Sequence, residues 1–203
     1  MSLLSGIVTL SLLCFCLYLQ RRQVNAFLRE HDAPPLPDRL SDAVSLVFLM
    51  LGLFLTYQEK FSALLMFTAL LPLLWLDSFR HWLPLRFTNA FWCIGLLTQL
   101  LSIEHDLSLL SAVLGSTLMF CLMGTLWWGL KRYHRREVLG LGDVHLIAGL
   151  FAWLSPATAL YSCGGAFLLM LLPMSLNKSP QPLAPYLCLS LLTGLFIVEF
   201  TPK

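Results

Sequence analysis

The stretch Gly140-Leu-Gly-Asp-Val-His-Leu-Ile-Ala-Gly-Leu150 places an aspartate, Asp143, at the head of a long apolar run. A carboxylate at membrane depth is costly unless it is paired, hydrated or used in chemistry. A second carboxylate, Asp77, closes another apolar run, Phe61 to Leu76. Two acids in such positions suggest that the chain forms a bundle of membrane helices in which both belong to one site.

The composition is typical of a membrane protein. Of the 203 residues, 58% are hydrophobic and 12% are charged, whereas soluble domains have about 25% charged residues. Long unbroken apolar runs favour helices over the short alternating segments of a membrane β-barrel. We therefore predict an all-α, polytopic helical bundle that forms a single integral-membrane domain over residues 1–203. Membrane lipid is an expected partner, whereas the net charge of +2 does not indicate nucleic acid.

Eight apolar segments predict about eight transmembrane helices. They are Leu3 to Leu19, Ala43 to Thr56, Phe61 to Leu76, Thr88 to Ile103, Leu107 to Leu130, Val144 to Leu154, Ala157 to Met174, and Leu183 to Phe200. Several are shorter than the ~20 residues that a full span needs. The break at Ser155-Pro156 rests on proline, which favours a turn there. Without this break, the count would be seven.

Basic residues indicate how the segments are oriented. The first segment is followed by Arg21 and Arg22, as in a membrane anchor whose C-terminal end faces the cytoplasm. If the segments then alternate, all of the 13 Lys and Arg residues except Lys60 and Lys203 fall in cytoplasmic connections. With this topology, Asp77 and Asp143 both lie on the cytoplasmic side, although the assignment did not use their chemistry.

A pair of aspartates is the catalytic arrangement of aspartic proteases. Close like charges cannot both ionise, so the pair holds one proton and can act as both acid and base. This chemistry needs no metal and no cofactor, and the sequence offers neither. Gly140 and Gly142 would let backbone or substrate approach Asp143. The alternatives are an N-capping role for Asp143 and an ordinary helix-end charge at Asp77.

Four matches to the motifs of one family strengthen this interpretation. The segment Arg136 to Leu154 resembles the G-x-G-D-x-K-L-x-A-x-x-G-A-W-L motif of type IV prepilin (leader) peptidases, which are GxGD-type intramembrane aspartyl proteases. The segment Asp77-Ser-Phe-Arg-His-Trp-Leu-Pro84 resembles their D-x-D-x-x-x-L-P-D motif. Thr88 with Trp92 to Leu97, and then Pro182 to Leu187, resemble two further motifs of the family, L-T-x-P-x-x-W-x-G-L-L and P-F-G-P-F-L.

The resemblance implies a function and a set of site residues. Asp77 and Asp143 would be the catalytic dyad, with Gly140, Gly142 and Pro84 as supporting motif positions. The family removes the basic leader from pilin-like precursors at the cytoplasmic face of the bacterial inner membrane. A prepilin or pseudopilin is therefore the implied substrate, and type IV pilus assembly or protein secretion the implied context.

The chain also departs from the family pattern. His145 stands where Lys is usual, and two roles are open for it: a titratable partner of the dyad, or a polar residue that faces the cytoplasmic surface. A short cytoplasmic loop, Gln20 to Asp42, stands in place of the cysteine-rich domain that many members carry. That domain is associated with N-methylation, so we expect a short, peptidase-only form in which methyltransferase activity is doubtful.

Two other functions compete with this one. The first is another GxGD intramembrane protease, of the preflagellin or signal-peptide-peptidase type, because Gln181-Pro182-Leu183-Ala184 partly resembles a Q-P-A-L motif. The second is a non-enzymatic transporter or a membrane subunit of a secretion system. Transporters often contain internal repeats, and the sequence shows none.

Overall fold

The computed structural model describes residues 3–101, 107–135, 139–177 and 181–200. Within these residues the chain forms eight α-helices and no β-strand. They are α1 (Leu3–Glu30), α2 (Asp38–Tyr57), α3 (Phe61–Arg80), α4 (Leu85–Leu100), α5 (Leu109–His134), α6 (Leu141–Leu150), α7 (Pro156–Asn177) and α8 (Leu183–Phe200). The predicted all-α bundle is confirmed, with eight helices rather than seven.

The helices present an apolar surface that suits lipid. Helices α3 and α5, and the Pro156–Ser175 part of α7, are long and apolar enough to cross a membrane. Leu118 on α5 and Leu172 on α7 are 63% and 69% exposed. A continuous surface of this kind is unfavourable in water, and helices satisfy their backbone groups internally, as a bilayer requires. The protein is therefore a membrane protein.

Consecutive helices from α3 to α8 run in opposite directions. One cavity is lined by residues from the start of α3, the end of α4 and the segments before α5 and α7: Lys60, Gln99, Leu107 and Ser155. At the other end of the bundle, the end of α3 meets the start of α8 through Asp77 and Ala184. This arrangement agrees with the alternation inferred from the apolar segments. The side of the membrane that each end faces stays a prediction.

The break between α6 and α7 occurs at the predicted proline. Helix α6 ends at Leu150, four residues before the predicted end at Leu154. The amides of the next three residues bond to carbonyls three positions earlier, a tighter pattern than in an α-helix. The Ser155 hydroxyl then accepts the Thr158 N–H at 3.3 Å, which caps α7. The break is confirmed, and the end of the sixth segment is corrected.

The segment predicted as a loop, Gln20 to Asp42, is mostly helical. Helix α1 continues to Glu30 and α2 begins at Asp38, so only residues 31–37 connect them. Prolines in this connection prevent a continuous helix. The Leu36 N–H donates to Asn25 Oδ1 at 3.1 Å, and Arg80 donates to the Pro34 carbonyl at 3.4 Å. The connection therefore packs against α1 and the end of α3, near Asp77.

Helix α6 packs between α4 and α5. Its approach to α4 is close, because a β-carbon on Gly149 would lie 3.0 Å from the Phe91 ring. Just beyond α6, the Trp153 indole N–H donates to the Phe91 carbonyl at 3.0 Å. These contacts fix the position of α6 along its axis and its rotation about that axis. They therefore also fix the position of Asp143 at its start.

Candidate active site

Asp77 lies in the last turn of α3 and is only 4% exposed. Its Oδ2 accepts a hydrogen bond of 2.7 Å from the backbone N–H of Ala184, in the first turn of α8. The backbone amide of Leu183 interacts with the same carboxylate. The first amides of a helix have no partner within that helix, and here they are satisfied by a buried acid.

The turn after Asp77 is fixed by backbone geometry. His81 adopts a left-handed conformation, with φ 51° and ψ 42°, and its N–H donates to the Asp77 carbonyl at 2.9 Å, which ends α3. Pro84 is buried and precedes α4 as its N-cap, and its carbonyl accepts the Phe87 N–H at 3.0 Å. Proline suits this position because its φ is already restricted. The short turn directs the chain from Asp77 towards α6.

Asp143 is the third residue of α6 and is half-buried. Gly140 is the N-cap, and its backbone amide interacts with the Asp143 carboxylate. A β-carbon on Gly140 would lie 2.8 Å from Asp143 Oδ2, so only glycine leaves room for this conformation. Asp143 is thus not the N-cap residue, although it reaches back to the N-cap amide as an acid in a capping box does.

The structure brings the two aspartates together. The carboxylates of Asp77 and Asp143 lie close enough to repel each other electrostatically. Beside them, Gly142 lies against the backbone carbonyl of Leu83, in the turn that follows Asp77. The N-termini of α6 and α8 both lie at the pair, and their partial positive charge stabilises one negative charge there. Because a second charge would be repelled, the arrangement can hold one proton and exchange it.

His145 lies away from this pair. Its Nδ1 forms a hydrogen bond of 2.8 Å with Asn89 Oδ1 on α4. Its ring packs against Phe120 of α5 and Trp92 of α4, with centroid distances of 5.0 and 6.2 Å. Residues two positions apart on a helix point in nearly opposite directions. His145 therefore contacts α4 and α5, whereas Asp143 is directed towards Asp77.

Sequence reasoning missed the partners of these side chains. The Pro182 to Leu187 segment was singled out only as a motif, and nothing in it signalled that the amides of Leu183 and Ala184 would bind Asp77. A backbone donor leaves no side-chain signature. Asn89, the hydrogen-bond partner of His145, was also missed. It is a polar residue in an apolar run, three positions before Trp92, and this signal could have identified it.

An apolar groove opens between α2, α3 and α8. Its lining includes Val47, Phe48, Leu71, Leu74, Cys188 and Leu192. Leu74 lies one helical turn before Asp77, and Cys188 lies one turn after Ala184 on the same face of α8. The groove therefore runs along the helices that hold the Asp77 carboxylate and reaches to within one turn of it.

Comparisons with known proteins identify the family of the chain. The sequence profile of the type IV leader peptidase family matches residues 64–175. The prepilin leader peptidase/N-methyltransferase of Aeromonas hydrophila is 34% identical over 137 residues, which cover 64% of this chain and 47% of the relative. The corresponding Dichelobacter nodosus protein is 28% identical over 131 residues, covering 62% and 45%.

A shorter relative is covered more completely. The leader peptidase HopD of Escherichia coli is 32% identical over 134 residues, which cover 61% of this chain and 85% of the relative. By contrast, the chain spans about half the length of the Aeromonas and Dichelobacter relatives. No solved structure matches the chain. The profile match covers more than half of the chain, and the chain therefore belongs to the type IV leader peptidase family.

Proposed function

We propose that the protein is an aspartic endopeptidase that removes the basic leader peptide from type IV prepilins or related pilin-like precursors. The observation that carries the proposal is the meeting of Asp77 and Asp143, which come from distant parts of the sequence and lie at one end of the bundle. Membership of the family and the names of the relatives support a leader peptide as substrate.

The proposed reaction uses one water molecule between the two carboxyl groups. The ionised carboxylate removes a proton from the water as its oxygen attacks the scissile carbonyl carbon, while the protonated carboxyl hydrogen-bonds to the carbonyl oxygen. The tetrahedral intermediate then loses its C–N bond, and the leaving amine takes the proton removed from the water. One proton remains on the pair, so the rate should rise and fall with pH as a bell that belongs to both groups.

The apolar groove accounts for the membrane part of the substrate. We propose that it binds the apolar segment of the precursor that follows the cleaved bond. The argument is continuity: two of the lining residues, Leu74 and Cys188, lie one turn from Asp77 and Ala184. An apolar segment in the groove would therefore present the preceding peptide bond to the carboxyl pair.

The proposed location is the inner membrane of a bacterium, with the aspartates at the cytoplasmic face. The distribution of Lys and Arg supports this orientation, because basic connections are retained on the cytoplasmic side. We also propose that the protein lacks methyltransferase activity. Residues 31–37, which join α1 to α2, contain no cysteine. They lie where the family pattern would place a cysteine-rich domain.

Co-expression with a prepilin tests the proposal directly. The precursor should carry a basic leader followed by an apolar helix, and the product should be analysed by mass spectrometry. We expect a product that lacks the leader and has an unmethylated N-terminus. If the precursor stays intact while the Aeromonas hydrophila relative cleaves it under the same conditions, the proposed function is wrong. A cleaved product with an added methyl group would overturn only the second part.

A further inference from the structure

We infer that Asp77 carries the negative charge of the pair and that the N-terminus of α8 holds it there. Asp77 would then be the base that activates water, and Asp143 the acid that hydrogen-bonds to the scissile carbonyl. Leu183 and Ala184 would act through Asp77 as positioning residues. The assignment of roles rests on the proposed function, whereas the location of the charge can be tested without any substrate.

The first argument is the kind of donor that Asp77 faces. A backbone N–H can only donate, so the oxygen it faces must offer a lone pair. The bond from Ala184 to Asp77 Oδ2 is short, at 2.7 Å, as expected for an N–H that donates to an ionised oxygen. The amide of Leu183 adds a second donor. Both belong to the first turn of an 18-residue helix, whose partial positive charge adds to the effect.

The second argument is the difference between the two acids. Asp143 interacts with a single amide, that of Gly140, whereas Asp77 interacts with two amides and with the His81 side chain. Burial alone would favour a neutral Asp77. However, backbone N–H groups that donate to a carboxylate favour its ionised form and oppose the effect of burial. Asp143, which interacts with fewer donors, is therefore the better place for the shared proton.

Three arginines near this end of the bundle have partners other than Asp77. Arg80 donates to the Pro34 carbonyl, and Arg86 lies 4.0 Å from Glu30. On α1 and α2, Arg21 pairs with Asp38 and Asp42 at the surface. Among the described residues, the titratable groups that interact with Asp77 are Asp143 on α6 and His81 at the end of α3. The charge on Asp77 is therefore stabilised by the Ala184 amide first, and then by His81 and the Leu183 amide.

The variant Ala184→Pro removes the N–H donor. Proline is tolerated in the first turn of a helix, so α8 should still form. A matched control is Leu110→Pro, which makes the same change at the second residue of α5, at the opposite end of the bundle. The variant Ala184→Gly keeps the donor. We expect Ala184→Pro to lower kcat more than it affects KM and to move the acid limb of the pH–rate profile upward by about one to two pH units.

The controls separate this effect from a structural one. The acid limb should stay in place in Leu110→Pro and in Ala184→Gly. If Ala184→Pro lowers the rate equally at every pH, with an unchanged profile, the amide does not hold the charge and the inference is wrong. An upward shift of the same size in Ala184→Gly would also overturn it, because that variant retains the N–H.

Infrared titrations locate the charge without a substrate and without the proline variant. Each single variant leaves one carboxyl of the pair, whose protonated and ionised bands are followed with pH against the double variant Asp77→Asn/Asp143→Asn as background. Asp77, followed in Asp143→Asn, should ionise at a lower pH than Asp143, followed in Asp77→Asn. The reverse order would overturn the inference. Failure to cleave any prepilin, combined with the expected spectra, would refute the proposed function and leave the location of the charge intact.

Discussion

Gly142 lies directly against the backbone carbonyl of Leu83, so that a β-carbon at position 142 would overlap the carbonyl oxygen. Leu83 belongs to the turn that follows Asp77, and Gly142 immediately precedes Asp143. This contact therefore sets the distance between the two chain segments that carry the aspartates. The second glycine of the Gly140-Leu-Gly-Asp143 stretch is required by packing at this point.

The variant Gly142→Ala should separate the two aspartates. Because the β-carbon would meet backbone rather than a flexible side chain, α6 must shift, at a cost of about 1–3 kcal/mol in the free energy of unfolding. A displacement of this kind should lower kcat by about tenfold to a hundredfold. Thermal unfolding in detergent and the initial rate of leader cleavage measure the two effects.

A matched control for this variant is Gly129→Ala on α5. No atom lies within 4 Å of a β-carbon at position 129, so this change should be neutral or stabilise the helix by up to about 1 kcal/mol. If Gly142→Ala behaves like Gly129→Ala in both measurements, the contact with Leu83 does not determine the geometry of the pair.

Replacing either aspartate by asparagine should abolish cleavage. Asp77→Asn and Asp143→Asn keep the shape of the side chain but leave the pair unable to exchange a proton, so the rate should fall by at least about a thousandfold. The amount of protein in the membrane fraction shows whether each variant still inserts. The control is Glu59→Gln, which neutralises an exposed acid just before the start of α3, at the other end of the bundle. Near-normal cleavage by either aspartate variant would remove that residue from the mechanism.

The meeting of Asp77 with Asp143 could be anticipated from the sequence for a simple reason. Each residue lies at the end of an apolar run, and membrane helices alternate in direction, so counting segments places both acids at the same end. The prediction depended only on the order of the segments and not on side-chain packing. The break at Ser155-Pro156 was predictable for a similar reason, since proline acts locally on the backbone.

Features that depend on packing could not be predicted in this way. The donor that reaches Asp77 is the amide of Ala184, 107 residues further along the chain, and only the docking of α8 beside α3 brings it there. Likewise, α6 ends at Leu150 because the following residues tighten into a turn. These residues are still surrounded by apolar neighbours, so hydropathy does not change at that point. Helix α1 continues past its apolar segment to Glu30 because its polar residues still favour helix, a boundary that hydropathy does not mark.

Narrowing the apolar groove should weaken substrate binding. Val47 lines the groove and is 60% exposed, whereas its neighbour Leu46 is 62% exposed and lies outside the lining. Val47→Trp should therefore raise KM for a prepilin by about tenfold, with less effect on kcat. Leu46→Trp adds the same bulk to the same helix and should leave KM near its normal value. Equal KM values in the two variants would indicate that lipid, rather than the precursor, occupies the groove.

The contacts of His145 favour a structural role over the two roles left open for it. Its ring bonds to Asn89 and packs against Phe120 and Trp92, so it should hold α6 to α4 and α5 without exchanging protons with the pair. We expect His145→Ala to lower the free energy of unfolding by about 1–3 kcal/mol, through the lost hydrogen bond and ring contacts. Cleavage by the folded fraction should keep the pH–rate profile of the wild type.

Asn89→Ala removes the same hydrogen bond from the other side, so the double variant should be less destabilised than the sum of the single ones. If His145→Ala instead moved one limb of the profile while Asn89→Ala left it in place, the imidazole would be acting on the aspartates, and its interaction with them would have to be formed in a rearranged, substrate-bound state.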